Sequence, residues 1–188
     1  MKYFLSISLL SLLFFITSCS SSRKTTVSKA VSPKAEDIKS TVKIKRNVPV
    51  VIINTKNISA DKVVDYAEKQ VGVKYKYGSS KKENGFDCSG FITYVFSHFN
   101  IPVPRISKDF TNTGDEVAIQ NCRRGDIILF TGSDANSGEV GHMGIITSIE
   151  NGFVNFIHAS TSKGVMISGM NSYFISRFVK VNRLFKIP

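Results

Sequence analysis

Apolar residues first recur at helical spacing where Val63, Val64, Ala67 and Val71 fall on one stripe. Ser59 stands where an N-cap belongs and Gly72 where a helix stops, so the spacing predicts a helix over about Asp61–Val71. A turn-rich stretch, Tyr77–Gly85, leads to a second stripe made of Phe91, Ile92, Val95, Phe96 and Phe99, closed off by Pro102 and Pro104. Ser107–Thr113 reads as one more short helix, stopped at Gly114. Beyond that point the period changes from helix to strand. Asp126–Phe130, His142–Ile149, Gly152–Ala159 and Val165–Ser168 are short β-branched and aromatic runs separated by Gly, Asn and Ser, and Phe178–Phe185 reads as a final strand. Helices first and strands afterwards predict an α+β domain, with N-terminal helices packed on a mostly antiparallel sheet of five to six strands.

The first sixty residues have a different texture. Lys2 precedes an almost unbroken apolar run from Phe4 to Ile16, shorter than the ~20 apolar residues a permanent span requires. The run ends in Ile16-Thr17-Ser18-Cys19, which resembles a bacterial lipoprotein signal. That resemblance implies removal of residues 1–18, lipidation of Cys19 and attachment to a membrane without a transmembrane span; an ordinary secretory signal is the alternative. Ser20 follows the cysteine where an Asp would favour inner-membrane retention, so the expected location is the outer membrane, facing the periplasm. Residues 20–60 carry nine basic and two acidic residues, whereas residues 61–188 carry 15 and 12. Most of the formal charge of +11 therefore sits in a solvated tether over residues 19–60, and the domain, residues 61–188, is nearly balanced. No basic stripe interleaved with aromatics accompanies it, which argues against nucleic-acid binding. Val48–Asn54 is apolar and β-branched enough to form a short strand against the domain. One ordinary domain of this size is expected to act as a monomer.

The chemistry centres on Cys88, in Gly85-Phe86-Asp87-Cys88-Ser89-Gly90-Phe91, where a loop becomes a helix. A helix N-terminus favours thiolate over thiol, and its unpaired N–H groups can donate to an oxyanion. A free cysteine more often only packs, so a base is needed to complete the case. Of three histidines, His142 begins one predicted strand and His158 ends the next. His142 is the candidate base and His158 the group that orients it. Strand alternation sets a condition on that pairing. A plain two-residue turn at Asn151-Gly152 pairs Glu150 with Phe153 and puts the two imidazoles on opposite faces, so the reading requires a longer loop or a bulge. A zinc site on Cys88, His142 and His158 is the competing chemistry; it would need a fourth ligand or water and a closer ligand spacing in the sequence. Cys122 has no partner motif and reads as a spare thiol, though a disulfide to Cys88 is conceivable; His98 reads as a surface residue.

An ordered set of segments carries a family resemblance: Gly72-Val73-Lys74-Tyr75-Lys76-Tyr77-Gly78, Asp87-Cys88-Ser89-Gly90-Phe91, Pro104-Arg105, Arg124-Gly125-Asp126-Ile127-Ile128-Leu129-Phe130, Gly141-His142-Met143-Gly144-Ile145 and His158-Ala159-Ser160. The chain resembles the NlpC-type peptidoglycan endopeptidases, papain-like cysteine peptidases of bacterial cell walls, over about Asp61–Leu184. The resemblance implies a Cys88/His142/His158 triad, with the Tyr75 hydroxyl near the nucleophile and Asp87, Ser89 and Arg105 contacting the stem peptide. For these last four the alternatives are a packing aromatic, two helix-cap residues and a structural ion pair. It implies peptidoglycan stem peptides as substrate and no metal or organic cofactor. Two positions depart from the family pattern. Ser79 replaces a common second glycine, and Phe110 replaces a common glutamine, which bears on the shape of a subsite.

The expected activity is hydrolysis of amide bonds in murein stems or cross-links through a thioacyl-enzyme. A wall-binding lipoprotein with a retired site, and an acyltransferase or amidase on the same scaffold, are the other readings.

Overall fold

A computed structural model describes residue 34 and residues 49–186. The segments read above as a signal and a tether, with Cys19, lie mostly outside the described residues. Helix α1 (Ala60–Glu68) starts where Ser59 accepts from the Lys62 N–H, and it buries Val63, Val64 and Ala67. It ends before Val71, which is 53% exposed and not on the inner stripe. The reason lies in the last turn. The Gln70 and Val71 N–H groups bond three residues back, to Ala67 and Glu68. That tightening rotates the stripe, so Gln70 is buried in place of Val71. The loop that follows folds into a small hairpin, β1 (Ser80–Lys81) with β2 (Gly85–Phe86), and hands the chain to α2 (Cys88–Ser97).

A short 3₁₀ helix (Ser107–Asn112) leads to the sheet strands β3 (Asp115–Val117), β4 (Ile127–Thr131), β5 (Val140–Glu150), β6 (Phe153–Ser160), β7 (Gly164–Gly169) and β8 (Phe178–Arg183). A four-residue helix α3 (Ser172–Ile175) precedes β8. The six strands run in the order β3-β8-β4-β5-β6-β7, every neighbouring pair antiparallel. Strand alternation divides the core. Ile127, Leu129, Met143, Ile145, Ile157 and Ala159 face α1 and α2, while Ile128, Phe130, Ile146 and Phe156 face α3 and the second cluster around Phe174. Burial on both faces is why β4 reads as a continuous apolar run. The arm before α1 contributes a single bridge, Val51 to Thr113, with Val51 N donating to Asn112 O at 2.7 Å and Gly114 N to Val51 O at 2.9 Å.

Candidate active site

Asp87 caps α2, its Oδ1 accepting the Gly90 N–H at 2.6 Å. The preceding loop is drawn onto this cap, because Asp87 N donates to Ser79 O at 3.0 Å. A Cβ on Gly90 would collide with that same Ser79 carbonyl, so only glycine lets loop and helix touch here. Cys88 is thereby fixed as the first residue of the helix, half-buried beside the main core.

Two groups meet its sulfur. Ser107 Oγ lies 3.2 Å away, and Sγ donates to Gly141 O at 3.7 Å. Ser107 opens the 3₁₀ helix, which β8 holds in place through Asn182 Nδ2 to Phe110 O at 2.7 Å. Gly141 is a bulge residue. Phe130 pairs with His142 and Thr131 with Val140, leaving Gly141 without a partner across the strand. A Cβ there would come within 2.8 Å of the Gly132 backbone. The bulge frees the Gly141 carbonyl for sulfur, so the peptide that touches the thiol is the one that begins His142.

His142 Nε2 and His158 Nδ1 are 2.9 Å apart, and His158 Nε2 is 3.0 Å from Ser168 Oγ of β7. The rings cross at 88° with centroids 5.0 Å apart. The hairpin condition is met in an instructive way. The turn is the plain two-residue one, with Asn151 and Gly152 at positive φ and Glu150 opposite Phe153. Between Ile146 and Ser148, however, the register shifts by one and Thr147 is left over as a bulge, which returns both histidines to one face. Arg124 holds that bulge: its guanidinium donates to Thr147 O at 2.7 Å and pairs with Asp65 and Glu68 of α1. Both imidazoles border the aromatic cluster, His142 near Phe130 and His158 near Phe156 and Phe174. Burial there pushes His142 down to about 4 and His158 to about 3, so each is neutral at pH 7.

The thiol departs from expectation. Its own N–H and that of Ser89 favour the thiolate, as does Ser107, but burial is the larger effect and pushes Cys88 up. The resting pair is therefore thiol and neutral imidazole. Among the described residues the sulfur's hydrogen-bond partners are Ser107 and Gly141, not His142. His142 Nε2 is engaged by His158 Nδ1, which leaves Nδ1 as the ring nitrogen of His142 open to another partner.

Tyr75 pairs with Phe86 through a backbone bridge, and burial followed by the neighbouring Cys88 and Asp87 charges pushes its phenol up. Tyr75 therefore lies within electrostatic reach of Cys88, though its hydroxyl forms no hydrogen bond among the described residues. Asp87, Ser89 and Arg105 form one network. Arg105 forks onto Asp87 at 3.1 and 2.8 Å and reaches Ser89 Oγ at 3.1 Å. Phe110 is buried in the main core, so its side chain fills the interior rather than a surface subsite. Cys122 and Cys88 are both free thiols; Cys122 is buried and pushed up to about 11. Sequence reasoning missed Ser107 and Ser168. No local motif marks either, since each meets its partner only across the fold.

An α+β domain with a cysteine opening a helix behind an Asp cap and a bulge-aligned histidine pair is the class that fold and site define. The model of the NlpC/P60 family matches residues 72–183, and the chain belongs to that family. It is 36% identical over 126 residues to the murein DD-endopeptidase MepS/murein LD-carboxypeptidase of Escherichia coli, covering 65% of this chain and 62% of that one. It is also 36% identical over 139 residues to the gamma-DL-glutamyl hydrolase of Bacillus subtilis, covering 70% of this chain but 32% of the relative. Among solved structures it is similar to the peptidoglycan hydrolase RipB of Mycobacterium tuberculosis, with TM-score 0.56, 25% identity and 71% coverage of each chain. A NlpC/P60 family protein from Bacillus cereus gives TM-score 0.60 at 26% identity, over 68% of this chain and 40% of that one.

Proposed function

We propose that the protein is a lipid-anchored murein endopeptidase, which cuts peptide stems or cross-links with Cys88 as nucleophile. The observation that carries this reading is the His142–His158 contact of 2.9 Å, on the strand whose preceding carbonyl touches the Cys88 sulfur. With His158 Nε2–H donating to Ser168, its Nδ1 accepts from His142 Nε2–H, and His142 Nδ1 keeps a lone pair for the thiol proton. Because the thiol rests neutral, proton transfer accompanies attack: sulfur bonds to the amide carbon as His142 takes the proton. The same imidazolium then protonates the leaving amine, the C–N bond breaks and a thioacyl-enzyme forms. Water, deprotonated by His142, releases the acid product and restores the thiol. The N–H groups of Cys88 and Ser89 are the donors for the oxyanion, assisted by Tyr75; one such donor is typically worth ~10²–10³ in turnover. Names of relatives that specify murein or peptidoglycan support the substrate class; the stem-peptide role of Asp87, Ser89 and Arg105 rests on the family resemblance, and in this chain the three bind one another. The Cys19 signal supports an anchor in the outer membrane.

The test is digestion of purified sacculi. Cys88→Ala, folded as judged by its circular dichroism, should release no muropeptides, and undiminished release would remove the nucleophile assignment. A wall-binding protein with a retired site would leave sacculi intact even as the native chain.

A further inference from the structure

Beside α2 lies a concavity built by the preceding loop. The loop that forms β1 and β2 borders an open concavity of about 560 Å³, lined by Lys74, Lys76 and Lys81 with Tyr77, Ser80 and Asn84. The three lysines are exposed, and the ion pairs among the described residues all lie elsewhere. Glu83 is the one acid between residues 74 and 84, and it sits at the hairpin tip next to Lys82. Asp87, the nearest buried carboxylate, is already matched by the Arg105 fork and does not offset the lysines. From the sheet side, Gly164 packs on the Val73 and Lys74 backbone, and its chain neighbour is another cation, Lys163. Tyr77 leaves an aromatic ring 86% exposed on the same wall. Three like charges on one loop repel one another and concentrate anions from solution.

The loop is rigidly coupled to the nucleophile. Lys76 N donates to Phe86 O, Phe86 N to Lys74 O and Asp87 N to Ser79 O, each at 3.0 Å. A ligand held by the lysines is therefore held at a fixed offset from Cys88. We infer that this pocket is a carboxylate subsite, which grips free carboxylates of an acidic peptide and presents an amide elsewhere in the same peptide to the sulfur. The identity of that peptide as a murein stem rests on the endopeptidase reading; stems built with D-glutamate and diaminopimelate carry such carboxylates.

The experiment compares the full-length chain with its Lys74→Gln/Lys76→Gln/Lys81→Gln variant on two stem peptides, one with free carboxylates and one with them amidated. For the free acid the triple variant should raise KM by about tenfold at low ionic strength with kcat unchanged, as expected for three exposed charge contacts. The amidated peptide should show no difference, and the native KM for the acid should rise with salt while the variant's stays flat. Equal effects on both peptides, or none on the acid, would overturn the subsite. Binding is read separately by calorimetry of the uncut acid peptide in a Cys88→Ala background. If the native chain cleaves neither peptide, the endopeptidase reading fails, yet the subsite is still decided there. A Kd that weakens with lysine replacement and with amidation supports it, and a Kd indifferent to both ends it.

Discussion

Ser107 sets the reactivity of the thiol more directly than the helix N-terminus does. Its hydroxyl, 3.2 Å from Sγ, is the strongest single influence favouring the thiolate against the opposing effect of burial. Ser107→Ala should therefore raise the Cys88 pKa further and slow alkylation by iodoacetamide at neutral pH by about fivefold, the equivalent of one hydrogen bond of ~1 kcal/mol. Ser107→Thr, which keeps the hydroxyl, should restore the rate. The histidines fix the acid side of the pH profile. As the proposed base, His142 can act only when neutral, and burial holds it at about 4. The acidic limb of kcat/KM should accordingly fall well below the usual histidine range near 6.5, toward pH 4, with activity still present at pH 5.5. A limb centred near 6.5 would mean that the base is a solvated imidazole and not the one described.

Two bulges in one strand do the work of alignment at the level of elements. The bulge at Gly141 aims a carbonyl at sulfur, and the bulge at Thr147 brings two imidazoles to one face. Both interrupt β5, and both are clamped from outside it, by Gly132 and by Arg124. Deleting Thr147 would restore an uninterrupted register and slide Val140–Ile146 by one residue against β6. His142 would then turn to the face opposite His158, and Met143 and Ile145 would leave the main core. The expected outcome is complete loss of muropeptide release, together with a fall in stability on the order of several kcal/mol, read from the urea midpoint. Retained activity in a folded deletion variant would show that the His142–His158 contact is dispensable. Arg124 explains the Arg-Gly-Asp segment in structural terms, since it ties α1 to the bulge while Asp126 takes Arg183 at 2.8 Å.

For the molecule as a whole, burying two neutral histidines couples folding to pH. Their folded pKa values, about 4 and about 3, lie below the unfolded value near 6.5. The unfolded chain thus binds protons first as pH drops. The stability that neutral burial preserves is fully present above pH 6.5 and is lost progressively as pH falls toward 3. Urea midpoints measured from pH 7 to pH 3.5 should decline over this window, and in His158→Gln the decline should be shallower. Most of the net charge lies in residues 20–60, and residues 61–188 are nearly balanced.

The sequence by itself determined the order of the two main helices and the long strands, the helix stripes except for Val71, and the position of Cys88 at a helix start, because those depend on neighbours within a few residues. It also stated the condition for the histidine pair: a bulge or a longer loop. Where that bulge falls was a tertiary decision, made by Arg124 reaching from a loop to Thr147 O and back to α1. Strand β3, the β1–β2 hairpin and α3 were not legible, since segments of two to four residues owe their form to the surfaces that they cover. Ser107 and Ser168 were hidden for the same reason, each being ordinary in its own segment and meaningful only beside sulfur or imidazole. The thiol's protonation state was likewise decided by the fold: a helix N-terminus can be read along the chain, but the burial that outweighs it belongs to the packed domain.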